Sequence, residues 1–583
     1  MGYRLSVIGN KLCIVYLIGI VFIPAITRGQ DIENIAKEKP VSLSGSLSLG
    51  SWYSHTSGIQ DRRSPFSWYI TGAPTLSVYG IMFPFSFTIS EQQRYYSQPF
   101  NQFGVSPYYK WIKLHLGHRN VYYSPFTLAG HTFYGAGIEM TPGPLRFGFI
   151  SGRFQKAIAE DTLILQESSL YNTPLPAYKR NAYAMKIGFG SEKNYFDLIY
   201  LKGRDDSTSI PYRPVNNEIY AGENAVFGIS HKFTFGKKIT WKSDIGISAY
   251  TQDLSAEGPD TNDMPFYNTI TKIITPNIST QILTAAESGL AYKDRYFSIQ
   301  LKYRRIDPDY KSMGAYYFQT DLEQFTIAPS FILFNYKLMI NSSLGFQHDN
   351  LYKRKLSTSK RKIGSLNINY NASQKFGMNL QYSNYGITQN PALARNLPDT
   401  SRHQYDSMLI SQVSQNIGFS PRLNFNTEKY IHAFNLFIGY QKLTDNNENT
   451  KDLSDMNSLN LNLNYNLFVI ENKLTFAPSF LYNSSNTCYG VLKNSGISFN
   501  VSKPFLKEKI YANSNISYTK NYFNAQSNGY TFNFNINWML KPFKSDKQSL
   551  NISMIFMKNR AEDETLTRDF SEFTGTFGYN INF

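Results

Sequence analysis

The chain has 583 residues, a formal net charge of +16 at pH 7 and an aromatic content of 16%, with 43 tyrosines and 43 phenylalanines. This length allows three or four soluble domains or one very large β-barrel, and the aromatic excess favours β-structure over a helical enzyme. Because Cys13 falls within a predicted signal peptide, Cys488 would be the one thiol of the mature chain, which excludes an internal disulfide and a cysteine-based metal site.

Residues 1–29 have the pattern of a secretory signal peptide: a basic start, an apolar run over residues 12–26 and small residues before a cleavage site. The alternative is an uncleaved membrane helix, but the apolar run is short for a full span and Pro24 interrupts it. We therefore expect a short periplasmic lead over residues 30–40 and one barrel domain over residues 41–583. This division leaves no room for a plug or a periplasmic domain.

Apolar and small polar residues alternate from Val41 onward, in many separate segments. In the clearest segments, residues 459–467 and 530–538, leucine or aromatic residues alternate with asparagine. Successive side chains of a strand point to opposite faces, so each segment has one apolar and one amide-rich face. Asparagine is unfavourable in ordinary sheets, so its repetition on one face indicates a hydrated lumen, with the apolar face against lipid. We predict an all-β fold, a single large antiparallel transmembrane β-barrel of roughly 24–26 strands.

The stretch over residues 573–583 shows the same alternation. We predict that it is the closing strand of the barrel and that it pairs with the strand beginning near Val41. Its apolar face, which includes Gly575, carries Phe573, Phe577, Tyr579, Ile581 and Phe583.

Connections between the predicted strands alternate in length, as in barrels with short periplasmic turns and long external loops. A further strand break near residues 120–128 would change the strand count by one. The predicted short turns lie at residues 142–144, 192–194, 236–238, 293–295 and 471–472. The predicted long loops are residues 155–180, 204–223, 253–284, 388–407 and 444–457.

Residues 98–154 are denser in proline, glycine, histidine and aromatic residues than the other strands. Alternation directs the apolar residues of this region to lipid and Trp111, Lys113 and His115 to the lumen, where we predict that they line a constriction. The Pro- and Gly-containing connection over residues 98–107 is a candidate for a loop that folds inward. The alternative is an ordinary strand pair with a rigid external loop.

A catalytic site at the barrel rim is a further hypothesis. His115, His118 and His131 lie close in sequence to Ser124 and Glu139, but a nucleophile, its base and an orienting group cannot be assembled from sequence when strands separate them. Histidines of an aromatic girdle or a lumen are the commoner outcome. We predict that the protein is not an enzyme and that it binds no cofactor and no metal.

With its signal-like start, its alternating strands and the aromatic residues of its last strand, the chain resembles Gram-negative outer-membrane β-barrel proteins. The resemblance covers nearly the whole chain, but it is architectural and identifies no subfamily. It implies a location in the bacterial outer membrane. It also implies that the barrel-insertion machinery recognises the closing strand during biogenesis.

An empty barrel of this size would leak small solutes, so its lumen should be filled. The leading hypothesis is a channel or transport pore narrowed by its own long loops and by residues 98–130. The alternative is a structural or accessory subunit of an outer-membrane assembly or secretion complex with a protein partner. The basic clusters at residues 353–355 and 360–362 suit lipopolysaccharide phosphates, other anionic lipids or an anionic solute, or are simply solvated loop charges. Nucleic acid is not expected as a partner of an exported protein.

Overall fold

The structure, a computed structural model, describes residues 39–61, 63–90, 102–159, 176–211, 219–258, 271–315, 319–354, 357–391, 410–445, 451–542, 547–562 and 569–583. The predicted signal peptide and most of the predicted periplasmic lead lie outside these residues. No helix within the described ranges is long and apolar enough to cross a membrane.

The described residues form one sheet of 30 strands. The first strands are β1 (Val41–Ser44), β2 (Ser46–Ser57), β3 (Phe66–Gly72), β4 (Thr75–Val78), β5 (Ile81–Ser90), β6 (Gln102–Val105), β7 (Tyr108–Tyr109), β8 (Ile112–Tyr122), β9 (Leu128–Met140), β10 (Leu145–Gln155), β11 (Lys179–Gly190), β12 (Tyr195–Asp206), β13 (Glu223–Phe235), β14 (Ile239–Thr251) and β15 (Thr280–Lys293). The others are β16 (Phe297–Ile306), β17 (Gly314–Ala315), β18 (Leu322–Leu333), β19 (Leu338–His348), β20 (Ser357–Asn371), β21 (Phe376–Pro391), β22 (Ile410–Asn426), β23 (Tyr430–Asp445), β24 (Met456–Val469), β25 (Leu474–Thr487), β26 (Gly490–Phe505), β27 (Ile510–Phe523), β28 (Gln526–Leu540), β29 (Gln548–Arg560) and β30 (Phe570–Asn582). A single helical turn, α1 (Lys451–Ser454), precedes β24.

The sheet closes on itself because β2 pairs antiparallel with β30, from Ser46↔Asn582 to Ser57↔Ser571. β1 and β2 together form one transmembrane strand of the wall, as do β3 with β4 and β6 with β7. The short strand β17 lies inside the wall. Counted in this way, the described strands form a closed antiparallel barrel of 26 transmembrane strands. This number lies at the upper end of the range predicted from the sequence.

The wall has an apolar outer face and a polar inner face. On β24, Leu459 and Leu463 are 38% and 45% exposed on the outside, although both are large apolar side chains. Asn460 lies on the opposite face, across from Asn483 of β25. Exposed apolar side chains around the whole outer surface are what a barrel presents to lipid. On the closing strand, Phe577 belongs to this outer face and is 41% exposed.

The barrel has two different ends. Connections of a few residues lie at one end, which we call the turn end, and β2 starts and β30 finishes there. All five of the predicted short turns fall at this end. The opposite end, which we call the loop end, carries the longer connections, parts of which lie outside the described residues, and also the two-residue connections β25–β26 and β27–β28. By the usual asymmetry of such barrels, the loop end faces the cell exterior.

Neighbouring turns at the turn end are joined by ion pairs. Lys238 Nζ lies 2.9 Å from Asp294 Oδ1. This hydrogen bond holds the pKa of Asp294 below its ordinary value and that of Lys238 above it. The lowered carboxylate pKa stabilises the fold above the ordinary aspartate pKa, and this stabilisation is lost as the pH falls through the lowered value. Both side chains are solvent-exposed, so the contribution is small.

Candidate lumen constriction

Two connections at the loop end lie inside the barrel. Residues 123–127 join β8 to β9, and residues 307–315 follow β16 and include β17. We call these two segments the inner loops. β17 pairs in parallel with the start of β9, at Gly314↔Leu128. The inner loops therefore run along the inner surface of the wall between β9 and β16.

Inward-facing glycines on successive strands make room for the inner loops. Gly203, Gly228 and Gly246 occupy such positions on β12, β13 and β14, and Gly228 pairs directly with Gly246. A Cβ atom at Gly246 would overlap the hydroxyl group of Tyr310, and Cβ atoms at Gly203 and Gly228 would likewise meet atoms of the inner loops. Glycine at these positions lets the loop backbone approach the wall closely.

Hydrogen bonds join one inner loop to the other. The Tyr310 hydroxyl donates to the carbonyl oxygen of Phe126 at 2.8 Å. The Ser312 hydroxyl donates to the carbonyl oxygen of Thr127 at 2.5 Å. All four residues are buried, so these bonds satisfy polar groups that water does not reach.

A second set of hydrogen bonds fixes the inner loops to the wall. The side-chain oxygen of Asn224 on β13 accepts the backbone N–H of Met313 at 3.0 Å, and its amide donates to Ser248 on β14 at 2.8 Å. The Ser248 hydroxyl in turn donates to the carbonyl oxygen of Lys311 at 2.7 Å. Asn224 and Ser248 are both fully buried. A buried network in which these members are satisfied specifies one position for the loop.

Apolar packing completes the contact between the loops and the wall. The rings of Phe126 and Tyr310 meet edge to face, with centroids 6.2 Å apart. Removing a side chain such as Phe126 from water contributes roughly 1.5–3 kcal/mol. Two apolar clusters surround the inner loops. One contains Phe126, Leu283, Ala285, Ile306, Tyr310 and Leu322, and the other contains Val121, Tyr123, Leu128, Phe133, Ile150, Phe154, Ala182, Ala184, Ile199, Leu201 and Val226.

A charged cleft lies in the lumen between the inner loops and the turn end. It has a volume of about 430 Å³. Glu287 lies at its centre, with Lys302 Nζ at 2.9 Å and Arg304 Nε at 3.6 Å. Lys242 and Asp244 form a second pair at 3.2 Å. The wall below the inner loops therefore presents alternating charges to the lumen.

The opposite half of the wall is mainly uncharged on its inner face, although Arg361 and Arg422 point inward, and we call it the neutral half. From β20 to β30, the inward positions are mainly asparagine, serine, threonine and glutamine, and they hydrogen-bond across strands. Asn500 and Asn513 exchange amide hydrogen bonds at 3.2 and 3.1 Å. Ser479 and Ser498 are 2.6 Å apart. The inner loops contact β12–β14 and do not lie over these positions.

The structure places the predicted constriction residues at different levels. Trp111 lies in the turn before β8 and not within a strand. Lys113 is exposed on β8, opposite Glu139 of β9. His115 is buried, and its Nε2 lies 3.0 Å from Glu139 Oε2. None of the three belongs to the inner loops, and their role in a constriction stays a prediction.

The predicted inward loop over residues 98–107 is not found in the part of it that is described. Residues 98–101 lie outside the described ranges, and Gln102–Val105 form the wall strand β6, which pairs with β5 and β8. Of the predicted narrowing region 98–130, residues 123–127 do fold inward. The sequence interpretation missed residues 307–315, for which the available signal was the set of inward glycines on β12–β14.

The histidine cluster predicted from sequence does not assemble. His118 packs between Phe103 and Tyr134, with ring centroids at 5.6 and 4.7 Å. His131 stacks on Phe154 at 5.2 Å. His115 instead joins a different serine, because Ser106 Oγ lies 3.0 Å from its Nδ1.

The network of Ser106, His115 and Glu139 has the order of a nucleophile, a base and a carboxylate. However, the serine and the histidine are only 6% and 2% exposed. The network satisfies the polar groups of Ser106 and His115, which are both buried. Among the described residues, no group of three or more His, Cys, Asp or Glu side chains could hold a metal ion.

The closed wall and its apolar outer surface identify a membrane-spanning β-barrel, because a sheet in lipid satisfies all its backbone hydrogen bonds only when it is closed. The protein is a β-barrel of the Gram-negative outer-membrane kind. This location and architecture agree with the expectation from the sequence.

The sequence matches no protein-family model and no curated protein. Similar solved structures include a mutant of the ferric enterobactin receptor PfeA from Pseudomonas aeruginosa, at 7% identity and a TM-score of 0.39, covering 93% of this chain and 80% of that chain. The P pilus usher (PapC) translocation pore has 11% identity and a TM-score of 0.36, covering 93% and 99%. OccAB3 from Acinetobacter baumannii has 11% identity and a TM-score of 0.32, covering 69% and 99%. At these values we draw no functional conclusion from the similarities.

Proposed function

We propose that the protein is a non-enzymatic outer-membrane channel, narrowed by its own inner loops, through which small polar solutes pass along the neutral half of the wall. The observation that carries this proposal is the division of the lumen. Among the described residues, the inner loops pack on the wall between β9 and β16 and leave the amide-lined surface from β20 to β30 uncovered. A hydrated amide surface offers a passing solute both donors and acceptors without a fixed charge.

The size of the barrel supports the same proposal. Barrels of 16–18 strands already enclose an aqueous channel. An empty barrel of 26 transmembrane strands would therefore let small solutes leak across the membrane. The inner loops reduce that opening with residues of the chain itself. Their buried hydrogen bonds favour a fixed constriction over a mobile lid.

Conductance of the purified barrel in planar lipid bilayers tests the proposal. We expect steady single-channel conductance from the wild type, and a larger conductance after residues 308–315 are replaced by a Gly-Ser linker. The control replaces residues 427–429, an exposed turn that joins β22 to β23 at the turn end, and should leave the conductance unchanged. If no condition gives conductance, the barrel is not an open channel, and co-purification of a second protein would then favour the accessory-subunit alternative.

Absence of catalysis is part of the proposal, and Ser106 provides its test. We expect no covalent labelling of this serine by a fluorophosphonate probe, because the hydroxyl is buried beside His115. Labelling of wild-type protein that disappears in a Ser106→Ala variant would contradict the non-enzymatic proposal.

We also propose that lipid phosphates of the outer leaflet bind at the loop end. Four side chains lie side by side on the outer face of neighbouring strands: Arg305 on β16, Glu323 on β18, His348 on β19 and Lys360 on β20. Lys362 lies next to Lys360 on the same face. We call these five residues the basic row. Glu323 bridges to Arg305 and His348, at 3.8 and 3.0 Å. No described carboxylate forms an ion pair with either lysine, so both are available to phosphate.

A further inference from the structure

A hollow in the neutral half of the wall lies where two inward glycines face each other. Gly418 on β22 pairs with Gly439 on β23. Gln381 pairs with Gly418 on one side, and Asn460 pairs with Gly439 on the other. The hollow has a volume of about 370 Å³. This volume is within the range of small-molecule sites.

Phe437 forms the aromatic surface of the hollow. Its ring lies along β23 over Gly439, where a Cβ atom would be 2.9 Å from the ring carbons Cε1 and Cζ. The ring therefore occupies the space above Gly439 that a side chain at this position would fill. The side chain is 38% exposed although it points inward.

The inward positions around Phe437 are mostly amides and hydroxyls, and Tyr385 on β21 is a second exposed inward ring. The exposed surface of the Phe437 ring is apolar and gains free energy when another apolar surface covers it. Glycine at position 439 leaves room for the ring, and an exposed ring surface suits contact with the flat face of a planar or chair-shaped ligand.

The groups around the ring are neutral hydrogen-bonding side chains. Gln381, Asn416, Gln441 and Asn460 line the hollow and carry amides, each of which can donate and accept. The described lining residues include no ionised side chain. A ligand for this hollow should therefore have many hydroxyl groups, one apolar face and no charge.

We propose that this hollow binds a sugar ring of a neutral oligosaccharide, with an apolar C–H face on Phe437 and hydroxyls on the surrounding amides. The proposal rests on the proposed channel function, because the sugar would reach the hollow from the lumen. It assigns a substrate class to the neutral half of the barrel.

Binding of maltohexaose, a neutral glucose oligomer, tests the site. We expect saturable binding to purified wild-type barrel by isothermal titration calorimetry, and current blockade by the same sugar in planar bilayers. The Phe437→Ala and Phe437→Leu variants should bind roughly five- to tenfold more weakly, because both lack a flat ring. The Phe437→Trp variant should retain binding.

Leu481→Ala is the matched control. Leu481 on β25 also points into the neutral lumen and is 39% exposed, but it has no ring. Sugar binding should survive this substitution. Heat-modifiable migration in gels identifies variants that fail to fold, and the volume-preserving Phe437→Leu variant keeps the test usable if Phe437→Ala does not fold.

The outcomes separate this inference from the channel proposal. Normal conductance without maltohexaose binding would overturn the sugar site and leave the channel standing. Binding that is equal in wild type and in Phe437→Leu would also overturn it. Binding of adenine or benzoate in place of the sugar would show that the ring serves aromatic ligands, which likewise contradicts the proposal. Calorimetry in detergent still tests the site if the barrel does not conduct.

Discussion

The hydroxyl group of Tyr310 lies against Gly246, in the space that a Cβ atom of residue 246 would occupy. The same hydroxyl donates its hydrogen bond to the carbonyl oxygen of Phe126. One oxygen atom thus links the two inner loops to each other and fits them to the wall. The position of the inner loops depends on the absence of a side chain at residue 246.

We expect Gly246→Val to displace the inner loops. The added side chain would overlap the Tyr310 hydroxyl group, which already fills this space. Such overpacking typically costs about 1–3 kcal/mol of stability. The free energy of unfolding in urea should fall by that amount, and the single-channel conductance should increase or become noisy because the loops no longer seat on β14.

Gly289→Val on the neighbouring strand β15 is the control for this substitution. Gly289 also faces inward, but the nearest atom to its Cβ position is 3.7 Å away, which is an ordinary contact. This variant should unfold and conduct as the wild type does. Equal effects of the two substitutions would show that Gly246 has no special relation to the inner loops.

Asn224→Ala should destabilise the barrel through the loop contacts of this residue. It removes the acceptor of the Met313 N–H and the donor to Ser248, and it leaves these groups buried without those partners. We expect a loss of about 1–3 kcal/mol, measured by denaturant unfolding in lipid vesicles.

Asn535→Ala provides the comparison in the neutral half. Asn535 accepts a 3.0 Å hydrogen bond from Asn537 on the lumen face of β28, where water can replace the lost partner. Its loss should change the free energy of unfolding by less than about 0.5 kcal/mol. A loss as large as that of Asn224→Ala would contradict a hydrated neutral half.

The wall was predictable from the sequence because the alternation of apolar and polar residues is a local pattern. Alternation along a few residues decides which side chains meet lipid, and the short turns interrupt it at regular intervals. The segment around Asn460 and the closing strand β30 could therefore be interpreted correctly without knowledge of any distant contact.

The inner loops were not predictable in the same way, because their position depends on contacts far apart in the chain. Tyr310 meets Phe126 across 184 residues of sequence. The glycines on β12–β14 were visible, but glycine in a strand also marks bulges and bends. Proline and glycine in residues 98–107 gave a stronger local signal and pointed to a segment whose described part belongs to the wall.

Arginine substitutions on the closing strand test which face meets lipid. Phe577 and Thr576 are neighbours in β30 and lie on opposite faces. Phe577→Arg should reduce the free energy of folding into vesicles by roughly 2–4 kcal/mol if it lies near the midplane, and less near an interface. Thr576→Arg should have little effect because it points into the lumen. The reverse order would mean that the assigned faces are exchanged.

Lipid A retained by the purified barrel tests the basic row. Phe325 and Phe346 are 48% and 62% exposed on the outer face, and this pair lies two residues closer to the membrane centre than the pair of Glu323 and His348. A phosphorylated lipid could place its acyl chains on these rings and its phosphate on Lys360 and Lys362. Lys360→Gln combined with Lys362→Gln should therefore lower the amount of lipid A that mass spectrometry detects per barrel. The loss should be larger at higher salt, because salt screens the exposed phosphate contacts that remain.

Lys507→Gln combined with Lys509→Gln is the matched control, because it removes the same charge from an exposed position at the turn end. It should leave the retained lipid A unchanged, since lipid A of the outer leaflet meets the loop end and not the turn end. If both double variants lose lipid A equally, net charge and not the basic row determines the binding. If neither loses any, the two lysines are solvated charges of the loop end.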